Sequence, residues 1–450
     1  MEMQEKKALL FSNKDLKKLI WPLIIEQLLT VTVGMMDTVM IASVGESAVS
    51  AVSLVDSIMI LIIQIFAAIA TGGAVVAGQF LGAKDEDRAC QSANQLVLFI
   101  SVLSVAVMGL VYLLRGFILH QVFGKITAEV MAHSSTYLDI VSLSIPFIAL
   151  YNGGAALFRT MGNSRISMYT SLLMNAINIT GNAIMIYGLH MGVAGAAIPT
   201  LVSRIVAAVV MIVLLLNPKQ LVHLKRPFSL KFDATLIKRI LYIGVPNGLE
   251  NSMFQLGKIL LLSLVSGFGT AAIAANAVSN TLATFMTLPG MAIGFAIITV
   301  VSRCIGAGDY KQARYYTRKL IKITYLALLL TNALIILGLP AVLSLYHLSD
   351  ITASMTTQII FSYAAAAIVI WAPAFSLPNT LRAANDVKFS MVVSILSMWI
   401  FRIGFSFLLA KSMGLGVFGV WISMYIDWLV RSILFVLRYK GVSWYRYTGC

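Results

Sequence analysis

The chain has 450 residues, is 59% hydrophobic and only 11% charged, and carries a net charge of +15. Soluble domains hold about 25% charged residues, so an ordinary soluble protein is excluded. Apolar runs of roughly 18 or more residues recur along the whole length, whereas transmembrane barrel strands alternate over roughly ten, so a barrel is excluded too.

What remains is an all-α polytopic membrane protein. In chain order the runs predict twelve spans: 16–42, 47–78, 90–114, 130–158, 165–187, 193–216, 240–267, 271–302, 313–340, 354–381, 388–411 and 417–438. With the N-terminus in the cytoplasm, only Arg115, Lys125 and Lys411 fall on outer segments. Arg204, Lys258 and Arg402 lie within spans, and the other Lys and Arg are inner. Basic residues collect on the cytoplasmic side, so the expectation is an inner (plasma) membrane protein with both termini cytoplasmic. The same rule accounts for the basic balance, and no nucleic-acid partner is implied. Cys90, Cys304 and Cys450 form no CxxC pair, so neither a disulfide framework nor a metal site is expected. The lysine-rich start runs into a span too long for a cleaved signal, so the first helix is expected to be retained.

The two halves repeat. "WPLIIEQLL" from Trp21 returns as "VPNGLENSM" from Val245, placing Pro246 and Glu250 224 positions after Pro22 and Glu26. "GAKDEDRA" from Gly82 returns at the same interval as "GAGDYKQA" from Gly306. "LFRTMGNSR" from Leu157 matches "TLRAANDVK" from Thr380 at 223, and "GVAGAA" from Gly192 matches "GVFGVW" from Gly416 at 224 again, so one residue was inserted near the fifth span. Two parallel six-helix lobes follow, 1–216 and 240–450, related by a pseudo-two-fold axis along the membrane normal and joined by a cytoplasmic linker at 217–239. This is the plan of transporters that rock two lobes around a central cavity.

"MMDTVMIASVGESAVSAV" at Met35, "GQFLGAKD" at Gly78, "FRTMGNSR" at Phe158, "NITGNAIMIYGLHMGVAGAAIPT" at Asn178, "CIGAGD" at Cys304 and "LRAAND" at Leu381 occur in the order and helix plan of one family. Along essentially its whole length the sequence resembles the MATE (multidrug and toxic compound extrusion) transporters, bacterial type. The resemblance implies a secondary active antiporter exporting organic, amphipathic and cationic compounds in exchange for Na+ or H+ by alternating access, with no cofactor.

Several polar residues inside spans are candidates for the work. Asp37 costs about 2.5–3.5 kcal/mol to insert and has no base beside it in sequence. It is a hard oxygen ligand for sodium or a group able to carry a proton. Asn178 and Asn182 share one helix face. The resemblance implies that they and Thr200 join Asp37 in a coupling site, with Na+ held at Asp37 and Asn178. Some family branches have aspartate where Asn182 stands, which leaves sodium against proton open. Glu26 precedes Asp37 by 11 residues, about 16 Å along the axis. It is either a proton carrier or a fixed acceptor near the Pro22 kink.

Glu250 is expected to touch substrate, although relatives carry their glutamate about one turn later, where this chain has Phe254. Trp371 stands where some relatives have aspartate. With Met286, Met291, Phe375, Met398 and Trp399 it offers a surface able to repack around varied ligands. Arg204 and Arg402 are further substrate-site candidates. With Lys258 they need acid partners, for which Asp56, Glu250 and Asp427 are available by depth; unpaired, they argue against a purely cationic substrate. Gly72-Gly73 and Pro289-Gly290 suggest either hinges or close helix packing.

A lipid-linked oligosaccharide flippase of the same broad superfamily is the alternative. An enzyme is not expected, since no HExxH, nucleophile elbow or P-loop occurs. Partners are expected to be a small-molecule substrate and membrane lipid, with the chain acting as a monomer.

Overall fold

A computed structural model describes residues 9–124, 126–225, 230–346, 348–441 and 444–445. Lys125, Cys450 and part of the basic linker lie outside these. Of the described residues 87% are helical, and none is in a strand. The first half runs Asn13–Ala42, Glu46–Gly82, Glu86–Leu113, the pair Ala128–Ser142 and Ile145–Thr160, Ser164–Asn182 continuing as a π-helical segment Ala183–Gly188, and Ala194–Leu215. The second runs Ala234–Ser266, Thr270–Gly306, Tyr310–Leu345, Asp350–Ala383, Val387–Ser412 and Gly416–Lys440.

Each expected span falls on one of these stretches. By length and apolarity alone, nine described helices can cross a membrane, or ten if the pair bent by 48° is one span. Ser164–Asn182 and Ala234–Ser266 are not among them. The first carries Arg165, Asn175, Asn178 and Asn182, the second Lys238, Arg239, Glu250 and Lys258, so hydropathy is lowest where candidate site residues collect.

The repeated motifs build the same turn twice. Lys84 and Gly308 adopt φ of 62° and 66°, the left-handed turn that stops a helix. The next residue caps the following helix: Asp85 accepts from Arg88 N at 3.0 Å and Asp309 from Gln312 N at 3.0 Å. Gly82 and Gly306 are needed for close approach. A Cβ on Gly82 would sit 2.0 Å from the Arg303 carbonyl oxygen, and one on Gly306 1.8 Å from that of Gln79. Gly72 likewise lies on the Ile240 carbonyl and Gly290 on the Trp371 ring, so these glycines serve packing in this structure.

The chain divides into two compact units. One comprises 25–77 and 85–252; the other comprises 1–24, 78–84 and 253–450. The first helix of each half thus divides a few residues after its proline, Pro22 or Pro246. In the first unit Ile145–Thr160 packs on Glu86–Leu113 and Ala194–Leu215, burying Leu96, Ile100, Leu157, Phe158 and Met211. The linker ends are fastened to the same unit: Gln95 Nε2 donates to the Lys231 carbonyl at 2.9 Å, and Gln95 Oε1 accepts from Asp233 N. Lys225 Nζ donates to exposed Asp87 at 2.6 Å and holds that carboxyl below its usual range. The other unit has two apolar cores, one around Leu19, Leu23, Ile293, Ile297 and Tyr316, the other around Met286, Tyr363, Trp371, Trp421 and Trp428.

Candidate functional site

In the unit of 25–77 and 85–252, five helices converge on a pocket of about 100 Å³ lined by Asp37, Asp56, Tyr137, Asn182 and Thr200 among others. Asn182 Nδ2 donates to Asp37 Oδ1 at 2.8 Å and reaches Asn178 Oδ1 at 3.4 Å. Asn178 Nδ2 donates to Thr200 Oγ1 at 3.0 Å, and that hydroxyl donates on to the Ala196 carbonyl. Tyr137 OH donates to Asp56 Oδ1 at 3.3 Å. Arg204 donates to Ser144 Oγ at 2.7 Å and lies within electrostatic reach of both Asp37 and Asp56. With both acids ionised, this group holds one negative charge in excess. Asn182 is 1% exposed, and its Oδ1 is buried without a hydrogen-bond partner among the described residues. A buried amide oxygen left open costs free energy, and here it belongs to a side chain that lines a polar pocket.

Glu26 belongs to a separate group. It is buried, pairs with Arg159 Nη1 at 3.3 Å and accepts from Ser167 Oγ at 2.7 Å. The structure brings Asp37, Asn178, Asn182, Thr200 and Arg204 together and leaves Glu26 outside them. Glu250 is half-buried in the same unit.

In the other unit the candidates fall on aromatic ground. Trp371 stacks on Phe375 at 5.2 Å, and Phe375 meets Trp428 edge-on at 5.5 Å. Met286 is fully buried beneath them, and Asn332 Nδ2 donates to its carbonyl; it supports that surface from within the core rather than forming it. Met398 is buried, while Met291 and Trp399 are exposed. Arg402 lies over the Phe254 ring at 5.0 Å, and its Nη2 reaches Met424 Sδ at 3.1 Å. Asp427, one of the acids available by depth, binds Arg431 Nε at 2.8 Å and accepts from Ser397 Oγ at 2.6 Å. Trp371 and Arg402 both sit on π-helical segments, Ala367–Ser376 and Met398–Gly404. The wider turn changes which way side chains face, and such segments are frequent at functional sites.

Sequence reasoning did not assign Asp56, Tyr137, Phe254 or Arg431 to a site. Asp56 was signalled by its place within the apolar run "SLVDSIMI", the same signal that marked Asp37. Phe254 was signalled only by standing where relatives carry their glutamate.

The MatE family model matches the chain twice, at residues 22–184 and 246–408, both stretches opening on the repeated proline. The chain is 29% identical over 444 residues to "Uncharacterized transporter YisQ" of Bacillus subtilis, covering 96% of this chain and 94% of that protein. It is 25% identical to "Probable multidrug resistance protein NorM" of Thermotoga maritima, covering 96% and 93%. Its fold resembles a solved outward-facing multidrug resistance MATE family transporter of the MOP superfamily, with TM-score 0.88, 21% identity and 95% of each chain covered. It equally resembles a MOP superfamily transporter from Pyrococcus furiosus, described as having a binding pocket of reverse polarity, with TM-score 0.86, 21% identity and the same coverage. Two domain-length matches in tandem, an all-helical fold and buried polar groups within spans lead to one assignment: the chain belongs to the MatE family and is a membrane transporter, not an enzyme.

Proposed function

We propose that this transporter is a multidrug exporter driven by a monovalent cation, Na+ or H+, acting at Asp37. The observation that supports the reading is the polar pocket with one negative charge in excess and the open Asn182 oxygen. One excess charge suits one monovalent cation, since a second would be uncompensated at low dielectric. Arg204 is the fixed counter-charge to the second carboxylate, and Asn178 and Thr200 hold the amides in register. Relatives named as multidrug resistance proteins favour efflux over the flippase alternative. Amphipathic, positively charged cargo is read from Glu250, with Trp371 and Phe375 as apolar surface. Transporters of this family need no cofactor. The lobes 1–216 and 240–450 alternate access as one monomeric chain of twelve spans in the inner membrane, with both termini cytoplasmic.

Uptake into proteoliposomes with sodium and pH gradients imposed separately tests the coupling. Asp37→Asn is expected to abolish gradient-driven export while leaving substrate binding in detergent intact; wild-type transport in that variant overturns the assignment. Labelling Gln220→Cys and Leu348→Cys from outside intact cells tests topology: only the second is expected to react.

A further inference from the structure

In the unit that contains 253–450, three cations surround one ring. Arg402 Cζ lies 5.0 Å from the Phe254 centroid, Lys258 Nζ 5.1 Å and Arg431 Cζ 5.9 Å. The acid within this group is Asp427, and it is committed to Arg431 and Ser397. Two positive charges are therefore in excess. Arg402 is more than nine-tenths buried, and its Nε has no hydrogen-bond partner among the described residues. Lys258 is exposed, and neither it nor Arg402 has a carboxylate within ion-pair distance among the described residues.

Cations held at bilayer depth pair with an acid, meet backbone carbonyls or mark a substrate path. A ring face attracts a cation, but one ring has two faces and cannot serve three cations that repel one another. A guanidinium with a free Nε, an ammonium and an aromatic face together match one ligand chemistry: an anionic oxygen group on an aromatic or apolar body. Arginine binds such oxyanions through its planar fork, and lysine adds a point charge.

We infer that Arg402, Lys258 and Phe254 form a binding subsite for the sulfonate, carboxylate or phosphate group of an amphipathic organic anion. As cargo, that anion rests on the efflux reading above but adds to the positively charged cargo read from Glu250; as a bound ligand it rests on neither, so binding and transport can fail separately. The source is an exported compound or the headgroup of an anionic lipid.

The test is calorimetric titration of naphthalenesulfonate and its neutral analogue naphthalenesulfonamide into the full chain in phosphatidylcholine nanodiscs. The sulfonate is expected to bind about tenfold more tightly. Arg402→Met and Lys258→Gln should each bring the two probes near parity by weakening the sulfonate alone, whereas Lys411→Gln should change neither. Lys258 is exposed, so its variant folds even if Arg402→Met does not. Equal affinities in the wild type, or a preference that survives Lys258→Gln, overturn the inference. Phosphatidylglycerol nanodiscs separate the sources: lost preference assigns the subsite to lipid headgroups, and retained preference assigns it to cargo.

Discussion

In the unit built from 25–77 and 85–252, Asp37, Asp56 and Arg204 leave one negative charge in excess around a pocket. In the other, Arg402, Lys258 and Arg431 against Asp427 leave two positive charges around an aromatic ring. Shifted by the repeat interval, Asp37 meets Leu261, Asp56 meets Asn280, Lys258 meets Gly34 and Phe254 meets Thr30. The residues that keep counterparts across the repeat include those that shape backbone, Gly82 with Gly306 and Asp85 with Asp309, and one acid, Glu26 with Glu250. Duplication preserved the turns and crossings because each half needs them to fold. The charges of these two groups were free to diverge, because a charge costs insertion energy wherever it stands and is retained where it has work. The opposite signs argue for division of labour, with ion coupling in one unit and an anionic group held in the other.

The comparison breaks most decisively at Asp56. Asp56→Asn removes the excess negative charge while Asp37 remains. At ~150 mV one unit charge is worth about 3.5 kcal/mol, or some two and a half decades of substrate ratio. Vesicle accumulation should therefore fall toward equilibration in Asp56→Asn, while Asn280→Asp, its counterpart in the other half, should leave coupling in place. Persistent accumulation in Asp56→Asn would confine coupling to Asp37 alone.

A second test sharpens the positive side. Asp427→Asn leaves Arg431 beside Arg402 with no acid and should cost about 3–5 kcal/mol. Thermal unfolding in detergent should shift down by several degrees, and Asp427→Leu with Arg431→Met should recover most of the loss. A midpoint unchanged in the single variant would mean that the three cations are balanced by something other than Asp427.

The repeated glutamates give a smaller contrast. Glu26→Gln keeps an acceptor for Ser167 but removes the charge that faces Arg159, so a loss of about 1–3 kcal/mol in stability is expected. Glu250→Gln should weaken export of a cation more than of a neutral analogue. The smallest effect is expected at Asp87→Asn, whose fully exposed partnership with Lys225 should leave the unfolding midpoint within about one degree of wild type.

The sequence alone determined the membrane class, the helical stretches, the repeat and the family, because these follow from hydropathy, basic-residue bias and motif order, which are local properties of the chain. It also picked out Asp37, Asn178 and Asn182, whose polarity inside apolar runs stands out without any fold, and the family resemblance added Thr200. Which of these residues meet was decided by tertiary structure alone. Glu26 and Asp37 share a helix, yet one packs on Arg159 and Ser167 and the other on Asn182, because they meet opposite ends of the helix Ser164–Asn182 and Arg159 of Ile145–Thr160 reaches only the first. Met286 read as ligand surface until its helix face turned into the core. Sequence left the acid partners of Arg204, Lys258 and Arg402 open, and in the fold one of the acids available by depth, Asp427, is taken by Arg431, four residues along its own helix. Proximity in space depends on helix rotation and crossing, and a periodic apolar pattern that must face lipid as well as protein leaves rotation undetermined.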